Sequence, residues 1–195
     1  MNHNVNTIIN AIDLSLGGVI SQIKTNISLT FSGYVDAKIN DLIVAVLNEN
    51  IKEEELHSYI KNVSGYEKDF LYIVLKKTLD SKDRIVTFIL AKLLSLKIKN
   101  CKLSYYEESL LANINTLVEI DFKNYLKIVD SFNYKDDYIE IQLKKDEEEI
   151  SLVKFLNIGI VKADREHSLV GKGWYSLLKT NYSDEFYNLL QSYYV

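Results

Sequence analysis

The sequence predicts a mainly α protein, a helical bundle that is followed by a small C-terminal α/β segment. Apolar residues recur at helical spacing along most of residues 5–131. In the middle of the chain, small polar residues are followed three positions later by an acid, which marks helix starts. After residue 133 apolar and polar residues alternate, as in a strand. The chain has 195 residues, of which 47% are apolar, so it can bury a sizeable core.

The N-terminal part is predicted to form two helices or one broken helix, and then a longer amphipathic helix. The first apolar series, in residues 5–16, ends at Gly17-Gly18, and a second series follows over residues 19–27. Glycine interrupts helical patterns, so Ser32-Gly33 predicts a further break. Apolar residues between 35 and 47 then recur on one face, and we expect an amphipathic helix there.

The middle of the chain carries four predicted helix starts, in which side chains can satisfy the free N–H groups of a first turn. The pairs are Asn50 with Glu53, Ser64 with Glu67, Asp80 with Asp83, and Ser104 with Glu107. The segment 81–98 is apolar on two sides, so we expect it to be a central helix with neighbours on both. Helical spacing continues over 103–131, with a short break expected near Glu119 to Asp121.

The C-terminal segment is predicted to begin with an extended stretch and a helix. Tyr138–Leu143 alternates apolar and polar residues, which indicates a short strand or an extended arm. An acidic run, Asp146 to Glu149, leads into an apolar helix that we expect to end at Asn157 or Gly159 in a left-handed cap. The change of character after residue 131 predicts a helical bundle over 1–133 and a C-terminal segment over 134–195 that packs against the bundle or is weakly separate from it.

A short β-hairpin and a last helix are predicted to follow. Residues 160–163 indicate a strand, 164–167 a turn and 168–170 a returning strand. Gly171-Lys172-Gly173-Trp174 is interpreted as the entry to the last helical region.

This hairpin region resembles the wing of winged helix-turn-helix proteins. The resemblance rests on Phe155-Leu156-Asn157-Ile158-Gly159-Ile160-Val161 together with Leu169-Val170-Gly171-Lys172-Gly173. In that family an apolar helix ends in a Leu-Gly-Leu-Ile type step, and the second wing strand runs into a Thr-x-x-Gly helix start. The order of the whole chain is similar to that of Abi-alpha type phage abortive-infection proteins. That similarity implies a component of a bacterial or phage defence complex.

A winged helix that reads DNA should carry Arg, Lys, Asn or Gln on the helix before the wing. Here the predicted helix starts with Asp146 to Glu149, and residues 135–149 contain three lysines and seven acids. Such a local excess of acids opposes phosphate binding. We therefore favour a winged helix that contacts protein or serves as packing over one that reads DNA.

Composition and motifs indicate a cytoplasmic protein that is not an enzyme. The net charge of -4 disfavours nucleic acid and anionic lipid. The three histidines are far apart, and we find no phosphate-binding loop, nucleophile motif or metal-ligand spacing, so we expect no cofactor, metal or small-molecule ligand. The chain has one cysteine, Cys101, and no apolar run of the roughly 20 residues that a membrane span requires.

These observations predict an interaction or regulatory protein whose partner is another protein or a second copy. Tyrosine is enriched at interfaces, and the chain contains 14 tyrosines. The candidate partner-binding residues are Lys162, Arg165, His167, Lys172, Trp174, Tyr187, Tyr193 and Tyr194. Two alternatives stay open: a winged-helix DNA-binding regulator, and a membrane-active effector that uses the amphipathic residues 5–47.

Overall fold

The fold is mainly α, as predicted. The computed structural model describes residues 2–18, 20–21, 29–100, 102–132, 138–164 and 173–194, and these contain nine α-helices and a three-stranded antiparallel sheet. They form two compact units, Met1–Leu103 (unit 1) and Ser104–Val195 (unit 2). The predicted domain boundary at 133–134 falls inside unit 2. Across the described residues, we find no helix with the length and hydropathy that crossing a membrane requires.

Unit 1 is built around a central helix. Its described helices are α1 (Asn2–Ser15), α2 (Leu29–Asn48), α3 (Glu53–Asn62), α4 (Tyr66–Asp80) and α5 (Arg84–Asn100). The last of these packs against α2, α3 and α4. Both of its apolar stripes are buried, with Ile85 and Ile89 on one and Val86 and Leu90 on the other. The prediction of a central helix with neighbours on two sides is thereby confirmed.

The break predicted at Ser32-Gly33 is wrong, because both residues lie inside α2. Gly33 is exposed and does not adopt a positive φ. A glycine inside a helix costs only about 1 kcal/mol relative to alanine. Burial of the α2 stripe offsets that cost; its members are Val35, Ile39, Leu42, Ile43 and Val46.

Replacing Gly33 tests the continuous helix. Gly33→Ala should raise the free energy of unfolding by about 0.5–1 kcal/mol, because alanine loses less backbone entropy in a helix than glycine does. The added Cβ would meet no atom within 4 Å. Urea denaturation followed by circular dichroism measures the change. As a matched control, Gly159→Ala should lower stability, because φ at this position is +85°. A loss of stability in Gly33→Ala would contradict the continuous helix.

Of the four predicted helix starts, Ser104 with Glu107 forms as predicted. The Ser104 Oγ accepts a hydrogen bond from the Glu107 N–H at 3.3 Å, and the Glu107 carboxylate accepts one from the Ser104 N–H. These reciprocal bonds satisfy two N–H groups that the first turn of a helix leaves free.

The other three starts are wrong in position. Asn50 lies in the turn after α2 with a φ of 59°, and Lys52 directly precedes α3. At the next start Gly65 occupies the capping position, and the carbonyl of Ser64, not its side chain, accepts from Glu67. Asp80 is the last residue of α4. A polar residue and an acid at this spacing indicate a nearby helix start, but they do not fix which residue begins the helix.

Unit 2 combines helices with the sheet. Its described elements are α6 (Tyr105–Asn113), a 3₁₀ turn (Ile114–Thr116), α7 (Glu119–Asp130), β1 (Tyr138–Gln142), α8 (Asp146–Ile158), β2 (Val161–Ala163), β3 (Trp174–Lys179) and α9 (Ser183–Tyr194). The break expected near Glu119 comes earlier, at residues 114–118. Gly159 caps α8 in the left-handed conformation, as predicted.

The predicted end of the hairpin needs one correction. Trp174 does not enter a helix; it is the first residue of β3, and α9 begins nine residues later at Ser183. The strands at Tyr138 and Val161 form as predicted. The predicted returning strand 168–170, and most of the turn before it, lie outside the described residues.

The sheet has the order β1-β3-β2, so β3 is the middle strand. Leu143 donates to the Gly173 carbonyl at 2.8 Å, and Asp164 donates to the Ser176 carbonyl at 2.8 Å. In an antiparallel pair, hydrogen bonding alternates from residue to residue. The odd-numbered residues of β3 therefore bond to β1, and the even-numbered ones bond to β2.

The core of unit 2 is aromatic. The Tyr125 ring lies 4.9 Å from the Phe155 ring and 5.0 Å from the Phe186 ring, measured between centroids. The Tyr125 hydroxyl donates to the Ser183 carbonyl at 2.8 Å, so the polar atom of this buried side chain is satisfied. The core joins α7, α8 and α9.

Alkaline pH should destabilise this core, in which the buried Tyr182 ring stacks on the Phe186 ring with centroids 6.2 Å apart. Burial, and to a smaller extent the charge of Glu107, raises the pKa of Tyr182 above its ordinary value of 10.0. The folded state therefore holds this proton more tightly than the unfolded state does, so its stabilisation is complete below pH 10 and decreases as the pH rises above it. Tyr182→Phe should make the decline in unfolding free energy above pH 10 shallower than in the unmodified protein. Equal slopes in denaturation series from pH 8 upward would contradict this.

Candidate protein-binding surface

A buried polar network fixes α7 against α8. The Asp121 side chain is 2% exposed and accepts three hydrogen bonds, from the Val118 N–H at 2.8 Å, the Ser151 hydroxyl at 2.8 Å and the Lys154 ammonium at 2.7 Å. Asn124 donates to the Ser151 hydroxyl at 3.0 Å. A buried carboxylate needs such partners because removing it from water is otherwise costly. The start of α7 is thus held beside the second half of α8.

Four large aliphatic residues that belong to this network or lie next to its members in sequence are exposed: Val118 (46%), Ile120 (44%), Ile150 (57%) and Val153 (47%). We call these four residues the aliphatic surface. Lys154, the neighbour of Val153, contacts Asp121, the neighbour of Ile120. The two helix segments that carry the surface are therefore adjacent.

The outward face of α8 is acidic and aliphatic. Its exposed residues follow at helical spacing: Glu147, Ile150, Val153 and Asn157. The one lysine of α8, Lys154, is paired with Asp121. Unit 2 as a whole contains 10 Lys and Arg residues and 16 Asp and Glu residues. Such a face can bury apolar area against a partner, but it offers no cation to a phosphate.

The predicted partner-binding residues that the structure describes fall into two groups. Lys162 lies in β2, and Trp174 begins β3 with 42% of its surface exposed. Lys162 pairs with Leu178, whereas Trp174 pairs with Gln142, so the two residues do not meet across the sheet. Arg165, His167 and Lys172 lie outside the described residues. Of the candidate residues Lys162, Arg165, His167 and Lys172, the structure therefore describes only Lys162.

The second group consists of tyrosines on α9. The Tyr187 hydroxyl donates to the Asp130 carboxylate, which ties α9 to the end of α7. Tyr193 and Tyr194 are half-buried and contact each other edge to face, with centroids 5.1 Å apart. A cleft of about 230 Å³ opens beside Tyr187, Lys179 and Asp184. These tyrosines contribute to packing inside unit 2 as well as to its surface.

The aliphatic surface is not among the candidate sites predicted from the sequence. Ile150 and Val153 belong to an apolar run that was interpreted as one helix, without a distinction between its sides. The three-residue spacing of this pair places it on a different side from Leu152 and Phe155, which are both buried. Helical phase was the signal that could have separated them.

The described residues contain no group of three His, Cys, Asp or Glu side chains arranged to hold a metal ion. Comparisons of the chain with protein-family models, with curated proteins and with solved structures find no match. The chemistry of the aliphatic surface is therefore the basis for proposing its function.

Removing the Asp121 carboxylate should loosen the support of the surface. We expect Asp121→Ala to lower the free energy of unfolding by roughly 3 kcal/mol, because it leaves the Lys154 ammonium without its buried partner. This value is the lower end of the usual range for breaking a buried ion pair, because Lys154 is 28% exposed and its ammonium group stays partly hydrated. Lys123→Ala is the control on the same helix: it breaks the exposed pair with Glu119, which should change stability by less than about 1 kcal/mol. Urea denaturation measures both, and equal effects would contradict the role of Asp121.

Proposed function

We propose that this chain is a non-enzymatic interaction protein that binds another protein through the aliphatic surface. The observation that carries the proposal is the outward face of α8, where Ile150 and Val153 are exposed beside Glu147. Ile150 and Val153 are three residues apart on α8 and are therefore neighbours on the helix, and grouped exposed apolar side chains are typical of interaction sites. The acids around it favour a partner with an apolar patch bordered by Lys or Arg, because opposite charges at a rim steer association.

The same face argues against a DNA-reading role. A recognition helix needs donors and cations for base edges and phosphates. On α8 the corresponding positions hold an acid and two aliphatic side chains, with Asn157 as the one exposed amide. The first turn adds Asp146 and further acids. These groups repel a phosphate backbone, so a protein partner is the better fit.

Membrane binding through residues 5–47 is also less well supported. Among the apolar side chains of α1 and α2 whose burial is described, Ile8, Ile12, Ile39 and Leu42 are buried in the core of unit 1 and do not face outward. Their exposure would require unit 1 to open. The proposal of a bacterial or phage defence complex as the biological setting rests on the sequence resemblance alone.

Variants of the aliphatic surface test the proposal. The tagged protein is used to capture partners from its host at near-physiological salt, with and without nuclease, and captured proteins are quantified by mass spectrometry. Ile150→Asn combined with Val153→Asn should reduce capture of a specific partner roughly tenfold or more, since central apolar contacts dominate binding energy. Val44→Asn is the control, because Val44 is also an exposed aliphatic residue (43%) but lies on α2.

Three results would count against the proposal. Unchanged capture by the double variant would show that the aliphatic surface is not the binding site. Partners that disappear after nuclease treatment would favour the DNA-binding alternative. Retention of the protein on anionic vesicles would favour the membrane alternative.

A further inference from the structure

In the part of the chain that the structure describes, one edge of the sheet is open. Because the odd-numbered residues of β3 bond to β1, the matching residues Ile139 and Ile141 direct their backbone groups inward, and Glu140 and Gln142 direct theirs outward. Within the described residues, no strand pairs with the outer side of β1. The N–H and C=O groups of Glu140 and Gln142 thus form a short template for another strand.

The side chains of β1 are incompletely covered. Ile139 and Ile141 share the face of the sheet on which Leu177 is fully buried, but they are only half-buried themselves. Glu140 and Gln142 are exposed on the opposite face. A further strand would cover the two isoleucines and would pair the outward backbone groups.

We infer that the occupant of this edge is β1 of a second copy, paired antiparallel about a two-fold axis at Ile141. In this register Glu140 of each copy lies opposite Gln142 of the other, and the two residues exchange backbone hydrogen bonds. Their side chains are complementary, because an amide can donate to a carboxylate. On the other face, Ile141 meets its equivalent.

Other registers fit less well. An axis at Glu140 places two carboxylates directly opposite each other, which is destabilising. An axis at Ile139 leaves Gln142 beyond the end of the second β1. If one β1 strand is shifted by one residue along the other, residues with outward backbone groups face residues with inward ones, and every side chain lies on the wrong face of the sheet. The axis at Ile141 avoids all three problems.

The resulting association is weak and depends on concentration. Pairing two five-residue strands covers less area than a permanent dimer requires. The excess of acids in unit 2 makes two copies repel each other, so added salt should strengthen the association. The inference is independent of the proposed function, since β1 contains no residue of the aliphatic surface.

Single cysteines test the axis in a chain in which Cys101→Ser has removed the natural thiol. Residues opposite each other in a non-hydrogen-bonded pair have Cα atoms about 4.5 Å apart, within the range of a disulfide. Ile141→Cys should therefore form a disulfide-linked dimer under mild oxidation, seen on a non-reducing denaturing gel. Ile139→Cys is the matched control on the same face and should not cross-link. With the axis at Ile141, the two cysteines at position 139 would be offset by four residues along the strands, about 13 Å apart. The double variant Glu140→Cys, Gln142→Cys should also cross-link.

The unmodified protein provides a second measurement. Its sedimentation should shift from the monomer mass of 22.5 kDa toward twice that mass as concentration and salt rise. Glu140→Pro should remain monomeric with an unchanged circular dichroism spectrum, because proline removes an outward N–H and is tolerated at sheet edges. Sedimentation at the monomer mass under all conditions would overturn the inference. Cross-linking at Ile139 as strong as at Ile141 would overturn it as well.

Discussion

The carboxylate of Asp121 is the group on which the arrangement of α7 and α8 depends. It is almost fully buried, and an unpaired charge in that position would be strongly destabilising. Its partners come from the backbone of Val118 and from the α8 side chains Ser151 and Lys154. A slide of one helix along the other by one turn would separate these groups. The polar network therefore fixes the register of the two helices.

A second polar cluster organises the region where the sheet meets α9. Thr180 directly follows β3, and its hydroxyl donates to the Ile160 carbonyl at 2.8 Å. The Ser183 hydroxyl bonds to the same carbonyl, and it also accepts the Thr180 N–H at 2.9 Å. Ile160 immediately precedes β2, so a single carbonyl oxygen connects the end of one strand, the start of another and the first turn of α9. This corner positions Phe186 in the aromatic core.

Much of the fold could be predicted from the sequence where one local pattern decides the structure. The two apolar stripes of α5, the cap formed by Ser104 and Glu107, and the left-handed Gly159 are such cases. Predictions from the sequence were wrong where tertiary packing overrides the local pattern. Gly33 was interpreted as a break, yet the buried face of α2 keeps the helix continuous. β3, with the sequence Trp-Tyr-Ser-Leu-Leu-Lys, does not alternate and was missed as a strand, although it pairs on both sides.

The candidate site was harder to predict than the fold. Tyr187 and Trp174 were proposed from residue type, but residue type does not show which side chains a neighbouring helix will cover. From the sequence alone, Ile150 and Val153 are expected to be core residues. They are exposed because α8 turns Leu152 and Phe155 toward the core instead. Which apolar side of a helix stays uncovered is a property of tertiary packing.

The position of β3 in the middle of the sheet also bears on the order in which unit 2 folds during synthesis. Chains emerge from the ribosome N-terminus first, and contacts between distant residues form later than local ones. The residues of α6, α7 and α8 emerge before β3, and β1 and β2 both pair with β3 and not with each other. The pairing of both strands is complete only when Lys179 has been added. A nascent chain that stops before Trp174 therefore contains α6, α7 and α8 but cannot assemble the sheet of unit 2.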